Sequence, residues 1–344
     1  MSKEQTHRWP FLFPFRRRHW PRPHVLQTML AVAVFNDQMP DSSYVQGINL
    51  PGISAGPILA SIPALSVTGM TPGGSTTNPF YLQGTWELLN GGTVLQPTAA
   101  KASPSGAFTP MYWLNSITYY GGNLYVIGSN GSEFGVLRFD ATTGNPNGSG
   151  SNPATDPLYL ALDLLVENSG MSVVTFQGQA ALAIPLASGI AACIISGTGV
   201  PALLGPVPYS SFQVSVPSGY LALTAPCQSP SNLYFLYFDG FNPPGGAGLG
   251  SVSVAEVENA ILLGSTNITV NQITPLGSLP LTCAWCVTQI NQQDVVYVAI
   301  PSWINQTIPQ WSIDMINPTT GVTSPIALNL PGYPWGMCVV TVSV

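Results

Sequence analysis

The chain has 344 residues, of which 6% are charged and 45% hydrophobic, and it contains 35 Gly and 33 Pro. The charged share is far below the roughly 25% of ordinary soluble domains, and the hydrophobic share excludes a disordered polar chain. Gly and Pro at this density interrupt helices. The composition therefore excludes a helix-rich fold and favours an all-β protein with many turns.

The first 24 residues form a distinct basic and aromatic segment. They hold six of the eight basic residues and one acid, Glu4, whereas residues 25–344 hold two basic and 13 acidic residues. Prolines prevent a continuous helix here, and arginines beside aromatic rings are typical of an extended arm that docks on an acidic or lipid surface. We therefore expect an anchoring arm over 1–24 and a β-rich body over 25–344. The expected partner-binding residues of the arm are Arg8, Trp9, Phe11, Phe13, Phe15, Arg16, Arg17, Arg18, Trp20 and Arg22.

Two alternatives stay open for this arm, a disordered solubilising tail and a contact with nucleic acid or lipid. The apolar run over 25–35 follows directly and contains Ala31-Val-Ala33, which resembles a signal-cleavage site but has a short core before it. A second apolar region, 179–207, is interrupted by Gly and Pro, so two buried strands explain it better than a membrane span.

The body repeats one pattern, in which a strand, a tight polar turn and a second strand are followed by a third strand that ends in a turn. In chain order, such units are predicted over 113–144, 171–195, 212–240 and 285–321. Their turns carry Gly, Asn or Asp, as short connections between strands favour. Two units end in related runs, Asp140-Ala-Thr-Thr-Gly144 and Asn317-Pro-Thr-Thr-Gly321. Helices are considered at 158–168 and 254–263, where outer strands are the alternative.

This repeated order of strands and turns over 105–330 resembles that of β-propellers of the kelch or quinoprotein-like kind. The kelch, Trp-Asp and sialidase signatures are missing from the sequence. The resemblance implies a single all-β propeller of about six blades. Residues 335–342 echo the start of the preceding unit, so an N-terminal segment would complete the last sheet and remove its free edge. Residues 58–68 and 80–86 are the candidates. A double jelly roll or two β-sandwiches are the alternative fold.

Motifs for catalysis are incomplete. Gly52-Ile-Ser-Ala-Gly56 matches a nucleophile elbow, but this chemistry needs a His base and all three His lie before residue 25. Cys283-Ala-Trp-Cys286 lacks two further zinc ligands. Glu256 and Glu258 would share a strand face, yet nothing indicates a pocket beside them. The run 245–250 is interpreted as a flexible loop. We therefore expect no catalytic residue, no metal and no cofactor.

Two covalent features are candidates. The Asn-x-Ser/Thr sequons make Asn130, Asn147, Asn267 and Asn305 candidate glycosylation sites of an exterior protein. Cys286 and Cys338 occupy similar places in neighbouring repeats, so a disulfide between them is a hypothesis.

The function predicted from these features is structural. The acids of the body become neutral near pH 4, so little repulsion builds up in acid. The composition resembles structural proteins of viruses and of appendages from hot acidic habitats, which implies an extracellular or virion-surface location. We expect a non-enzymatic structural or attachment protein, displayed outward, whose arm binds other structural proteins of the same assembly.

Two other functions stay open. One is a secreted propeller lectin or glycan hydrolase, with a host-surface glycan as a partner. Its sugar-stacking candidates are Tyr112, Trp113, Trp285, Trp303, Trp311 and Trp335. The other is a jelly-roll capsid shell protein.

Overall fold

A computed structural model describes residues 25–36, 42–63, 65–84, 87–96, 109–110, 117–129, 134–145, 170–186, 189–195, 202–207, 222–238, 246–263, 268, 270–277, 284–302 and 310–343. The arm over 1–24, the four sequon asparagines and the helix candidate over 158–168 lie outside these residues.

The described strands form six separate antiparallel sheets, which we number as blades 1 to 6. Blade 1 contains β1 (Leu26–Asn36), β2 (Ser42–Asn49), β3 (Ser54–Pro63) and β25 (Tyr333–Ser343). Blade 2 contains β4 (Val67–Pro72), β5 (Phe80–Gly84), β6 (Leu88–Asn90) and β7 (Thr93–Gln96). Blade 3 contains β8 (Thr109–Pro110), β9 (Ile117–Tyr120), β10 (Asn123–Ser129) and β11 (Phe134–Asp140).

The remaining blades follow in chain order. Blade 4 contains β12 (Ser172–Phe176), β13 (Gln179–Leu186), β14 (Gly189–Ile194) and β15 (Ala202–Val207). Blade 5 contains β16 (Ala222–Leu223), β17 (Cys227–Gln228), β18 (Asn232–Phe238), β19 (Ala247–Ser253) and β20 (Asn271–Gly277), with helix α1 (Val254–Leu263) before β20. Blade 6 contains β21 (Trp285–Ile290), β22 (Gln293–Ser302), β23 (Gln310–Ile316) and β24 (Thr323–Pro331). The apolar region over 179–207 thus contains three strands rather than two.

The inner strands of the six blades contact one another in a closed ring, in the order β4, β9, β12, β17, β21, β25 and back to β4. This arrangement is a six-blade β-propeller, and it excludes the double jelly roll and the two β-sandwiches. Blades 3 and 5 have a broken inner strand, since β8 and β9 both pair with β10, and β16 and β17 both pair with β18.

The ring closes through the two ends of the body. β1 pairs with β25 from Leu26 opposite Ser343 to Phe35 opposite Tyr333. The closing segment is therefore the complete β1–β3 unit, which includes only part of the candidate 58–68, while the candidate 80–86 lies in blade 2. The apolar run considered as a targeting segment forms β1, and its residues from Met29 to Val34 are buried.

The hydrophobic core is divided into six clusters, one at each junction between neighbouring blades. β10 shows how one strand serves two junctions. Leu124 and Val126 pack toward blade 2, whereas Tyr125 and Ile127 pack toward blade 4. Successive side chains of a strand point to opposite faces, so strands covered on both sides are apolar at every position, as the sequence shows.

Two expectations about blade 5 need correction. Residues 247–250, assigned to a flexible loop, begin the buried strand β19, where a Cβ on Gly248 would collide with the Tyr237 ring. Residues 254–263 form α1, so Glu256 and Glu258 lie on a helix, and side chains two positions apart on a helix do not face each other. In the described part of the chain, no helix is long and apolar enough to cross a membrane.

Candidate functional site

A cavity of about 310 Å³ lies where the inner strands of all six blades meet. We call it the axial pocket. Each blade lines it with a short run of consecutive residues, namely 70–72, 117–119, 171–173, 224–228, 285–287 and 337–339. Its volume is at the lower end of the range for small-molecule sites, which is about 300–1,000 Å³. A site of this kind is assembled by the ring as a whole and by no single blade.

The side chains in corresponding positions of these runs divide the pocket wall into two halves. Blades 2, 3 and 4 place hydroxyls there, and blades 5, 6 and 1 place thiols. We call Thr71, Thr118 and Ser172 the hydroxyl arc, and Cys227, Cys286 and Cys338 the thiol arc. Thr224 and Gln228 of blade 5 line the pocket beside Cys227, so polar residues occur on both sides of it.

The hydroxyl arc has hydrogen-bonding capacity that the protein leaves unused. Ser172 Oγ is buried and has no hydrogen-bond partner. Thr71 Oγ1 accepts a hydrogen bond from the backbone N–H of Tyr119 at 3.1 Å, so the Thr71 hydroxyl proton is not engaged in that contact. A buried hydroxyl without a partner is costly and uncommon in native structures. Ser172 Oγ shares this state with Tyr237 Oη, Tyr297 Oη and Trp311 Nε1, and its lack of accessible surface keeps it from reaching a ligand in the cavity.

The thiol arc consists of free, neutral thiols. Burial raises the pKa of Cys227 to about 12, against a smaller lowering by a hydrogen bond from the Val287 backbone. Burial also raises the pKa of Cys286 and Cys338, and the two neighbouring thiols add to the rise at Cys286. Cys286 and Cys338 lie on adjacent inner strands as free thiols, so the hypothetical disulfide between them is not present in this structure.

Among the described residues that line the axial pocket there is no Asp, Glu, Lys, Arg or His. Tyr119 and Trp285 are also among the lining residues. The Tyr119 ring stacks on Tyr81, with centroids 5.1 Å apart, and Trp285 is buried at the junction of blades 5 and 6. Gln228 supplies an amide, which already exchanges two hydrogen bonds with the Thr175 backbone, at 2.6 and 3.1 Å. Over the described ranges, no group of His, Cys, Asp or Glu is arranged to hold a metal ion. The wall suits an uncharged ligand with both hydroxyl groups and apolar surface.

Most of the other candidate residues lie outside the described ranges or away from the axial pocket. The ten residues of the arm and the sequons at Asn130, Asn147, Asn267 and Asn305 stay predictions, since they lie outside the described ranges. So do the stacking candidates Tyr112, Trp113 and Trp303. Trp285 lines the axial pocket. Trp311 is buried between blades 6 and 1, and Trp335 packs against the ring of Phe35.

The nucleophile-elbow motif has a structural role. Gly52 lies in the turn between β2 and β3, and Ser54 begins β3. This is a hairpin and not the strand-to-helix elbow that the motif requires.

Most pocket residues were missed by sequence reasoning. The signals that pointed to some of them were the stacking candidate Trp285 and the similarity between Trp-Cys-Val at 285–287 and Met-Cys-Val at 337–339. The same positions in the other blades read Met-Thr-Pro, Ile-Thr-Tyr, Met-Ser-Val and Pro-Cys-Gln. A search for an apolar residue followed by Thr, Ser or Cys at each first strand would have found the ring.

No protein-family model and no curated protein sequence matches the chain. Solved structures do resemble it. The catalytic domain of a GH62 α-L-arabinofuranosidase from Coprinopsis cinerea is 12% identical with a TM-score of 0.38, over 67% of this chain and 70% of that chain. A quinoprotein alcohol dehydrogenase-like protein of Bacteroides thetaiotaomicron is 11% identical with a TM-score of 0.40, over 90% and 68%. An α-L-arabinanase from Cellvibrio cellulosa, solved with arabinohexaose, is 13% identical with a TM-score of 0.36, over 84% and 92%.

These comparisons correct the leading functional expectation. The non-enzymatic structural or attachment protein is the wrong interpretation, because the resembling propellers include an arabinofuranosidase and an arabinanase, which are glycoside hydrolases. The expectation that the chain is not an enzyme is corrected by the same finding. At such identities the likeness shows the propeller fold alone. Any ligand has to be argued from the axial pocket itself.

Proposed function

We propose that the protein is a secreted propeller that recognises an uncharged glycan in its axial pocket. One observation carries the proposal, an axial cavity whose described lining includes polar residues such as Thr118, Thr224 and Gln228 and many apolar residues, but no residue with a charged side chain. A sugar ring offers hydroxyls to polar groups and C–H groups to apolar ones, so it matches a lining of both kinds. An ionic ligand would lose its hydration there without gaining a counter-charge.

Hydrolysis of the bound glycan would require a pair of carboxyl groups flanking the scissile bond. The described wall of the axial pocket has none, and Asp156, Asp163, Glu167 and Asp239 lie outside the described residues. Binding and hydrolysis are therefore measured separately. Every glycan that binds is also incubated with the protein and assayed for newly released reducing ends.

The test uses the full chain on an array of neutral and acidic glycans, followed by titration calorimetry with the best binders. Thr118 lines the pocket, and Thr118→Val should weaken binding about 2- to 12-fold, the range expected for losing one hydrogen bond. Ser61→Ala is the matched control, since Ser61 is exposed on the outer strand β3, away from the pocket, and should leave the affinity unchanged. Absence of binding to every neutral glycan, or equal affinities for Thr118→Val and the wild type, would contradict the proposal.

A further inference from the structure

A second cavity, of about 850 Å³, lies at the junction of blades 4 and 5. We call it the junction groove. It is lined by Thr175 of β12 and Gln228 of β17 at the inner strands, and by Val254 and Ala255 in the first turn of α1. Helix α1 follows β19, which is the third strand of blade 5 from the axis. The groove therefore runs outward from the axis of the ring.

The junction groove adjoins the axial pocket. Gln228 lines both cavities. Its side-chain amide is held by the two hydrogen bonds with the Thr175 backbone, so the boundary between the cavities has a fixed position. A ligand that extends from the axial pocket past Gln228 therefore meets a second set of lining residues.

The lining of the junction groove is mostly polar. It includes three serines and one glutamate, namely Ser229, Ser231, Ser253 and Glu258. Ser231 is exposed, and Glu258 Oε1 accepts a hydrogen bond from the backbone N–H of Gln177, which leaves Oε2 to accept another. Serine hydroxyls donate and accept and a carboxylate accepts, so sugar hydroxyls can pair with both. None of the described lining residues is a cation, so an acidic sugar would find no counter-charge in the groove.

We infer that the protein binds an uncharged oligosaccharide, with one end in the axial pocket and the following sugar units along the junction groove. This inference rests on the proposed function and adds a second binding site to it. The axial pocket, at about 310 Å³, is at the lower end of the range for small-molecule sites, whereas the groove is near the upper end. A ligand that occupies both makes contacts that a single sugar cannot make, so the affinity should rise with chain length until the groove is filled.

The test measures the affinity of the full chain for four series of neutral sugars, from one unit to six. The series are arabino-, xylo-, manno- and cello-oligosaccharides, and the method is titration calorimetry. In the series that binds best, we expect the Kd to fall at least about tenfold from the monosaccharide to the tetrasaccharide, as one or two added hydrogen bonds would produce. Equal affinities for the monosaccharide and the longer chains in every series that binds overturn the inference.

A bulky side chain in the groove locates the longer chain. Ala255 is exposed in the first turn of α1 and lines the groove, so Ala255→Tyr fills part of it without disturbing the core. This variant should bind the tetrasaccharide about tenfold more weakly than the wild type does. Gln293→Tyr is the matched control, because Gln293 is exposed in blade 6 and lines neither cavity, and it should leave every affinity unchanged. If Ala255→Tyr keeps the full gain with chain length, the longer chain does not lie in the groove and the inference is wrong.

Failure of this inference differs from failure of the proposed function. Binding of neutral sugars without any gain from chain length removes the inference and leaves the proposed function in place. No binding of any saccharide removes both. The length series uses the wild-type protein, so its result stands even if Ala255→Tyr does not fold.

Discussion

Asp140 and Asn317 show how one side chain shapes a turn. Asp140 Oδ1 accepts hydrogen bonds from the backbone N–H groups of Thr142 and Thr143, at 3.0 and 2.7 Å, and from the Thr143 hydroxyl at 2.9 Å. Asn317 Oδ1 accepts from Thr319 and Thr320, at 2.9 and 3.2 Å. Each turn then ends in a glycine with positive φ, 70° at Gly144 and 69° at Gly321. The two turns differ mainly in charge.

This pair makes a reciprocal test of acid sensitivity. Hydrogen bonds from Thr143 hold the pKa of Asp140 below its usual value. Such a group stabilises the fold above its unfolded pKa of about 3.9, and this stabilisation is lost as the pH falls through the lower folded pKa. Asp140→Asn should therefore lower the Tm near neutral pH by an amount that vanishes in acid, with a cost below about 1 kcal/mol because the site is exposed.

Asn317→Asp is the reverse change in the equivalent turn. It should raise the Tm above about pH 4, near the unfolded pKa of the new carboxyl, and lose the gain below it. Melting curves of both variants between pH 2 and 7 check the pair. Shifts that do not depend on pH would show that the charge of Asp140 does not contribute.

At the level of elements, a side chain replaces a strand between blades 4 and 5. The Gln228 amide accepts from the Thr175 N–H at 2.6 Å and donates to the Thr175 carbonyl at 3.1 Å, as a neighbouring strand would. It thereby pairs with the inner edge of β12. Blade 5 uses a related device, since Thr224 Oγ1 accepts from the Leu236 N–H at 3.1 Å, where its inner strand is interrupted.

Gln228→Ala should therefore destabilise the junction between blades 4 and 5. Two hydrogen bonds to the Thr175 backbone are lost, at about 0.5–1.5 kcal/mol each, so we expect a loss of about 1–3 kcal/mol in the free energy of unfolding. Gln293→Ala is the matched control, because Gln293 is exposed at the start of β22, and it should have little effect. Denaturant titrations measure both. Equal stabilities of the two variants would contradict this role of Gln228.

The outer edges of the blades carry prolines. Pro57 lies in β3, Pro275 in β20 and Pro325 in β24, each the outermost strand of its sheet. A proline has no backbone N–H to offer a further strand, so it is tolerated at an edge and discourages pairing with another chain. The high proline content that excluded a helical fold is used partly for this purpose.

The strands and turns of the propeller were predictable from the sequence, whereas the axial pocket was not. In the sequence, the residues around Asp140 and Asn317 identify turns. Continuous apolar runs such as β10 identify strands that are covered on both faces. The pocket joins residues as distant as Thr71 and Cys338, and nothing local relates them until the ring closes. The inner strands of blades 3 and 5 are broken, so the spacing along the chain between their pocket residues and their turns differs from that in the other blades. This difference makes the repeat harder to recognise in the sequence.

The whole ring depends on its closing strand. Met337, Cys338, Val340 and Val342 of β25 are buried between blade 1 and its neighbours. At about 1.5–3 kcal/mol per buried apolar side chain, their loss would remove about 6–12 kcal/mol. This is comparable with the total stability of a typical native protein, about 5–15 kcal/mol.

A chain that ends at residue 332 should therefore fail to fold cooperatively, as judged by near-UV circular dichroism and gel filtration. A chain that lacks residues 1–24 is the control. It should melt like the full-length protein, because β1 begins at Leu26. A truncated chain without β25 that still unfolds in one sharp transition would show that the ring does not depend on this closure.

The pairing of β1 with β25 has a consequence for biosynthesis. A ribosome makes the chain from its N-terminus, so β1 leaves the exit tunnel before the other described strands and its partner β25 leaves after them. Until β25 emerges, the inner edge of β1 has no neighbour and the axial pocket does not yet exist. A nascent chain therefore cannot bind a ligand in this pocket before β25 has paired with β1.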